Sequence, residues 1–268
     1  MKAREIAAVF ETIAPIEAGI AQDRASGFLG FRFGDRNVEV KGVGVAWWLS
    51  MEVVEQAVER GLNFLIIHEP ELFRQWDSFF HSNLQAAVMP FNLRKMKLLL
   101  DNGITVYTAH TNWDLQMEVG MAPTVAKALG FGKEDLVKYD VGVGVWRVKD
   151  SFGKTFGKLA AHVKSRMGLP FVRVQGKDEM PVRTVVVGYG SIGSEVEAIV
   201  ANDADAGIFG ELREWPFIQA REQGVGIIEM THVRSESVGF SSVVTEMSRL
   251  LPGVKFEFLE VPYPCRIA

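Results

Sequence analysis

Apolar residues in this chain alternate between two periods, the three-to-four-residue recurrence of an amphipathic helix and the unbroken β-branched run of a buried strand. Over residues 4–21, Ile6, Val9, Phe10, Ile13 and Ile16 recur at helical spacing, which predicts an opening helix that Pro15 bends or ends. A turn-rich aromatic stretch from Ser26 leads to a run at 38–48 that reads as a strand. Ser50 is a natural N-cap for a helix stopped by Gly61, and 63–67 is a short buried strand. A helix at 93–100, a strand at 104–109 and a helix at 123–129 closed by Gly130 continue the rhythm. Residues 131–176 are broken by glycines and carry no clear period. After Pro181, strands at 183–187, 206–209, 225–230 and 256–261 alternate with helices at 194–201, 215–223 and 243–251.

Strands separated by helices imply parallel or mixed sheets with helices on their faces. The expectation is therefore an α/β fold of two lobes, 1–130 and 131–268, with the last strand free to pack back on the first lobe. The length of 268 residues suits two such lobes.

Composition narrows the function mainly by exclusion. Lys plus Arg number 29 and Asp plus Glu 33, a net charge of −4 without a basic cluster, which argues against nucleic acid as a partner. The single Cys265 excludes a disulfide framework or a thiolate metal site and suggests a reducing, cytoplasmic setting. No apolar run is long enough for a membrane span, and the opening Met1-Lys-Ala-Arg-Glu-Ile does not read as a signal peptide.

The five histidines carry the chemical information. His68, His110 and His232 each stand at the carboxyl end of an expected strand, and each has a carboxylate close behind: Glu69, Asp114 and Glu236. In α/β sheets, ligands bind beyond the carboxyl ends of strands. Imidazole and carboxylate together suit divalent ions such as zinc, manganese, iron, cobalt or nickel. Six candidates exceed one zinc's needs and suit two ions held in a crevice. A lone histidine at a strand end is more often just hydrogen-bonded; three with matching acids favour the metal. His81 and His162 lack the strand-end context, and Trp47, Trp48, Trp113 and Trp215 read first as packing residues.

A rival signal is Gly188-Tyr-Gly190-Ser-Ile-Gly193, a G-x-G-x-x-G turn between an expected strand and helix. It lacks the acid that a nicotinamide dinucleotide needs at the end of the following strand, where Gly210 and Glu211 stand instead. A redox enzyme using NAD(P) is thus a distant reading, and the turn reads more simply as a tight strand-to-helix connection.

At these motifs the sequence resembles the dinuclear metal-centre hexamers, also known as type 2 GTP cyclohydrolase I homologues. The likeness rests on Ser26-Gly-Phe-Leu-Gly, Leu65-Ile-Ile-His-Glu-Pro-Glu-Leu-Phe73, His110-Thr-Asn-Trp-Asp114, Asp205-Ala-Gly-Ile-Phe-Gly-Glu211 and His232-Val-Arg-Ser-Glu236. It implies two divalent ions per subunit in a homo-hexamer, with His68, Asp114, His232 and Glu236 as ligands, Glu236 the bridge, and Glu69 where the family carries a second histidine. The reading that follows is a metal-dependent hydrolase, of cyclohydrolase or phosphoester type, acting on a small nucleotide-like substrate through water activated by the ions, with His110 as general acid. The alternative is a non-catalytic oligomeric metal-binding or regulatory protein.

Overall fold

The computed structural model describes residues 1–69, 88–140 and 142–265. His81 and the end of the first metal motif, from Pro70, lie outside the described residues. The chain divides into two compact units, Met1–Gln116 with Phe240–Ala268, and Met117–Gly239.

The first unit opens with α1 (Ala3–Ile13) and the short α2 (Ala21–Ala25), followed by β1 (Gly30–Phe33), β2 (Val43–Ala46), α3 (Met51–Glu59), β3 (Phe64–Ile67), α4 (Pro90–Asp101), β4 (Thr105–Thr108) and the single turn α5 (Thr111–Asp114). In the second unit come α6 (Met121–Leu129), β5 (Leu136–Asp140), β6 (Val143–Arg147), α7 (Phe156–Arg166), β7 (Arg173–Gln175), β8 (Thr184–Val187), α8 (Glu195–Ala201), β9 (Ala206–Phe209), α9 (Glu214–Gln223), β10 (Gly226–Glu229) and α10 (His232–Phe240), whose last residue falls in the first unit. The chain then completes the first unit with α11 (Ser242–Leu250) and β11 (Phe256–Phe258).

The first unit's sheet has the order β1-β4-β3-β2-β11. β2, β3, β4 and β11 run parallel, and β1 alone is antiparallel. Every residue of β2, β3 and β4 is buried, as expected of parallel strands covered on both faces. α3 lays Val53, Val54 and Ala57 into a core with Leu65, Ile67 and Val106. α1 contributes Phe10, whose ring stacks on Trp113 at 5.4 Å between centroids. The second sheet has the order β5-β6-β8-β9-β10-β7, with β8, β9 and β10 parallel at its centre and antiparallel strands outside them.

Sequence and structure differ in instructive places. The expected boundary at Gly130 falls instead between Gln116 and Met117, because α6 buries Met121, Val125 and Leu129 and packs on β6, β8 and α7 of the second unit. The first helix ends at Ile13, as Pro15 permits no continuation. β1 emerges from the stretch read as turns; it is an edge strand whose partner β4 supplies the order that its own half-exposed pattern does not signal. No helix among the described residues is long and apolar enough to cross a membrane.

Ser50 caps α3 as expected, its side chain accepting from the Val53 amide at 3.2 Å. Ser50→Ala leaves that amide without its cap, and chemical denaturation should show a loss of about 1 kcal/mol.

Candidate metal centre

Parallel pairing assembles the first group of candidate ligands. β3 and β4 run in register, Ile67 beside Thr108, so the residues that leave their carboxyl ends emerge side by side. His68 and Glu69 follow β3. His110 follows β4 and opens α5, whose one turn brings Asp114 back over the same end of the sheet. Donor atoms of His68, Glu69 and His110 lie within 4.8 Å of one another.

Hydrogen bonds fix how each imidazole faces. His68 Nδ1 donates to the carbonyl of Ala109 at 3.0 Å, which turns Nε2 toward Asp114 Oδ1, 3.6 Å away. His110 Nδ1 donates to Asp23 Oδ2 at 2.6 Å, which turns Nε2 toward Glu69 Oε1 at 3.7 Å. Both Nε2-to-oxygen spacings exceed a good hydrogen bond. They approach the roughly 3.4 Å that separates two donors each ~2.1 Å from one tetrahedral ion.

Asp23, Glu69 and Asp114 are all buried. Three carboxylates so close repel one another when ionised, a cost that a divalent cation offsets. Burial alone would lower the pKa of His110, but the hydrogen bond to Asp23 and the carboxylates of Glu69 and Asp114 prevail and push it up to about 10. An ion bound at Nε2 must take the place of that proton.

The second unit repeats the plan. β9 and β10 are parallel, with Phe209 beside Glu229, so Glu211 and His232 leave neighbouring strand ends. His232 Nδ1 donates to Glu211 Oε2 at 2.9 Å, and its Nε2 stands 3.0 Å from Glu236 Oε2. Four residues apart on α10, His232 and Glu236 share one helix face.

The glycine turn serves this second group. Gly190 has φ +51°, and a Cβ there would collide with the Glu236 carboxylate; Gly210 leaves space for the backbone of Gly190. The Gly190 amide donates to Ser235 Oγ at 3.1 Å, and Ser235 donates to the His232 carbonyl at 2.8 Å. The face of the turn left open by the missing side chain therefore holds a carboxylate, which would repel a dinucleotide's pyrophosphate. Just before α10, Thr231 has φ +75°, a left-handed conformation that a β-branched residue adopts only under strain.

Of the residues singled out in the sequence, the first unit thus gathers His68, Glu69, His110 and Asp114, and the second gathers His232 and Glu236. Sequence reasoning missed two buttresses. Glu211 stands at a strand end, the same signal that marked the histidines; Asp23 lies 87 residues before its partner and carries no such signal. His162 is structural, its Nε2 donating to the Leu129 carbonyl at 2.7 Å and its ring stacked on Phe152. Trp113 is fully buried, whereas Trp215 is half exposed beneath the Arg213 guanidinium.

This fold is that of a known class. The model of the Duf34/NIF3 (NGG1p interacting factor 3) family matches residues 1–264, and the chain belongs to that family. A relative from Methanocaldococcus jannaschii named GTP cyclohydrolase 1 type 2 homolog is 30% identical over 241 residues, covering 89% of this chain and 91% of its own. One of the same name from Clostridium perfringens is 27% identical, covering 88% and 87%. Among solved structures, Staphylococcus aureus protein SA1388 is similar with a TM-score of 0.83 at 21% identity, over 100% of this chain and 99% of its own. Reduced HcgD from M. jannaschii is similar with a TM-score of 0.76 at 26% identity, over 97% and 98%.

Two predictions follow from the geometry. In metal-free protein the folded state holds the His110 proton up to about 10, whereas the unfolded chain releases it near 6.5. The stabilisation is complete below about 6.5 and is lost as the pH rises toward 10. Urea denaturation in chelator should show this decline, and His110→Gln should flatten it. Thr231→Gly should relieve ~1–3 kcal/mol of strain against ~0.5–1 kcal/mol of added chain entropy, a net gain of about 1 kcal/mol by the same measurement.

Proposed function

We propose that this chain is a divalent-metal protein that holds two ions and uses them for hydrolysis of a small, nucleotide-like substrate. The observation that carries the reading is the shared arrangement of His68, His110 and His232. Each has Nδ1 committed to a carbonyl or carboxylate oxygen and Nε2 set against a carboxylate. An imidazole locked in this way is prepared to donate its Nε2 lone pair to a metal.

His68, Glu69 and Asp114 would serve as ligands from the first unit, and His232 and Glu236 from the second. Bound divalent ions supply Lewis acidity and lower the pKa of water that they hold. The protein's own part is to orient the donors. Ala109 and Glu211 fix the rings of His68 and His232, the Gly190 turn makes room for the Glu236 carboxylate, and the buried aromatic core beneath α5 sets the position of Asp114. The nitrogen and oxygen donor set, free of sulfur, suits zinc, manganese, iron, cobalt or nickel.

The relatives' shared name makes a purine nucleoside triphosphate the first substrate to assay, followed by phosphomonoesters and cyclic amides. We infer also a homo-oligomer, of the hexameric kind that the resemblance to the dinuclear metal-centre family implies, and a cytoplasmic setting.

Elemental analysis after loading and desalting should find close to two ions per chain. Glu236→Ala and His68→Ala should each lose metal while retaining native circular dichroism, and hydrolysis of at least one assayed substrate should vanish in chelator. Full metal retention by both variants would overturn the ligand assignment. Metal binding with no turnover across the panel would favour the non-catalytic reading.

A further inference from the structure

We propose that His110 is a metal ligand through Nε2, and that Asp23 is the positioning residue that makes it one. This rests on the metal-binding reading above and replaces the role of general acid that the sequence suggested for His110.

The Asp23 carboxylate is buried in α2 and accepts twice on one oxygen, from His110 Nδ1 at 2.6 Å and from Thr111 Oγ1 at 2.7 Å. Thr111 Oγ1 accepts in turn from the Ile20 amide at 3.0 Å, so the segment before β1 and the turn after β4 are tied together around this carboxylate. The ring of His110 is enclosed by Phe28, edge-on at 5.2 Å between centroids, and by the ring of His68 at 4.8 Å. Rotation is blocked from both sides, and a carboxylate acceptor dictates that Nδ1 carries the proton. The lone pair of the neutral ring is then on Nε2, aimed at the oxygen of Glu69.

A group that protonates substrate needs its reactive atom turned toward open space. The Nε2 of His110 is turned instead toward a carboxylate of the ligand set, and the side chain is only 14% exposed. A buried carboxylate behind a ligating imidazole fixes the ring and strengthens its basicity, and loss of such a partner typically weakens metal binding 10–100-fold. The first unit accordingly supplies two nitrogens, from His68 and His110, and two carboxylates, from Glu69 and Asp114.

The test uses full-length protein with ring-15N-labelled histidine, titrated with zinc, and Asp23→Asn and His110→Ala measured alongside His68→Ala. On saturation the His110 resonances should show Nε2 shifted to a metal-bound value while Nδ1 keeps its proton. Asp23→Asn should weaken zinc 10–100-fold. It should also alter the visible spectrum of the cobalt-loaded protein, a change that simple destabilisation does not produce. Asp23→Glu should recover part of the affinity. If a variant fails to fold, the wild-type titration decides alone. An unshifted His110 Nε2 beside a shifted His68 overturns this inference and leaves the metal reading standing; no zinc bound by the wild type overturns both.

Discussion

Everything at the candidate centre depends on parallel strands that end level with one another. Because β3 and β4 pair in register, the first residues beyond each strand emerge together, and the Ala109 carbonyl lies where His68 Nδ1 can reach it. The pairing of β9 with β10 does the same for Glu211 and His232. In an antiparallel pair the two carboxyl ends would lie at opposite ends of the strands, and neither imidazole could be held by its neighbour's strand end. Register here is a chemical constraint as much as a structural one, since a slip of one residue would turn each of these side chains to the other face.

The arrangement works against stability in several places. Three carboxylates are buried around two imidazoles, a threonine is held in a left-handed conformation, and Gly190 and Gly210 give up side chains so that a carboxylate and a backbone can approach. Folded proteins tolerate such costs where the surroundings are firm. In the first unit the fully buried strands β2, β3 and β4, and the stack of Phe10 on Trp113 beneath α5, supply that firmness; in the second unit the fully buried β9 and β10 do. The pattern of local cost on a rigid base is what distinguishes each of these two groups from an ordinary cluster of polar residues.

Much of this was legible in the sequence, for physical reasons. Runs such as Phe64–Ile67 and Ala206–Phe209 are apolar throughout because both faces of a central parallel strand are covered, so their existence and type are plain. Histidines directly after such runs can only sit at strand ends. Half-exposed strands were harder: β5 exposes most of its residues and β7 has only three, so neither produces a period. The helix that carries His232 and Glu236 was not read either, since its buried face is largely polar, with Ser235, Glu236 and Ser237 among the buried residues. Asp23 was invisible for another reason. Its role exists only once the chain has folded, and no local pattern marks a carboxylate that buttresses a ring 87 residues away. The glycine turn shows the converse error: a motif correctly placed between strand and helix, with its open face given to Glu236.

The interrupted first unit has a consequence for how the molecule is made. The chain leaves that unit after Gln116 and returns at Phe240, and its fifth strand, β11, adds beside β2, more than two hundred positions earlier. During synthesis the second unit has all of its residues as soon as position 239 has left the ribosome. The first unit must wait, with the edge of β2 uncovered, for residues 256–258 to arrive. An uncovered parallel strand is a place where other chains can pair. The order of synthesis therefore assigns the greater risk of misassembly to the unit that begins the chain, and makes its last strand the one that ends that exposure.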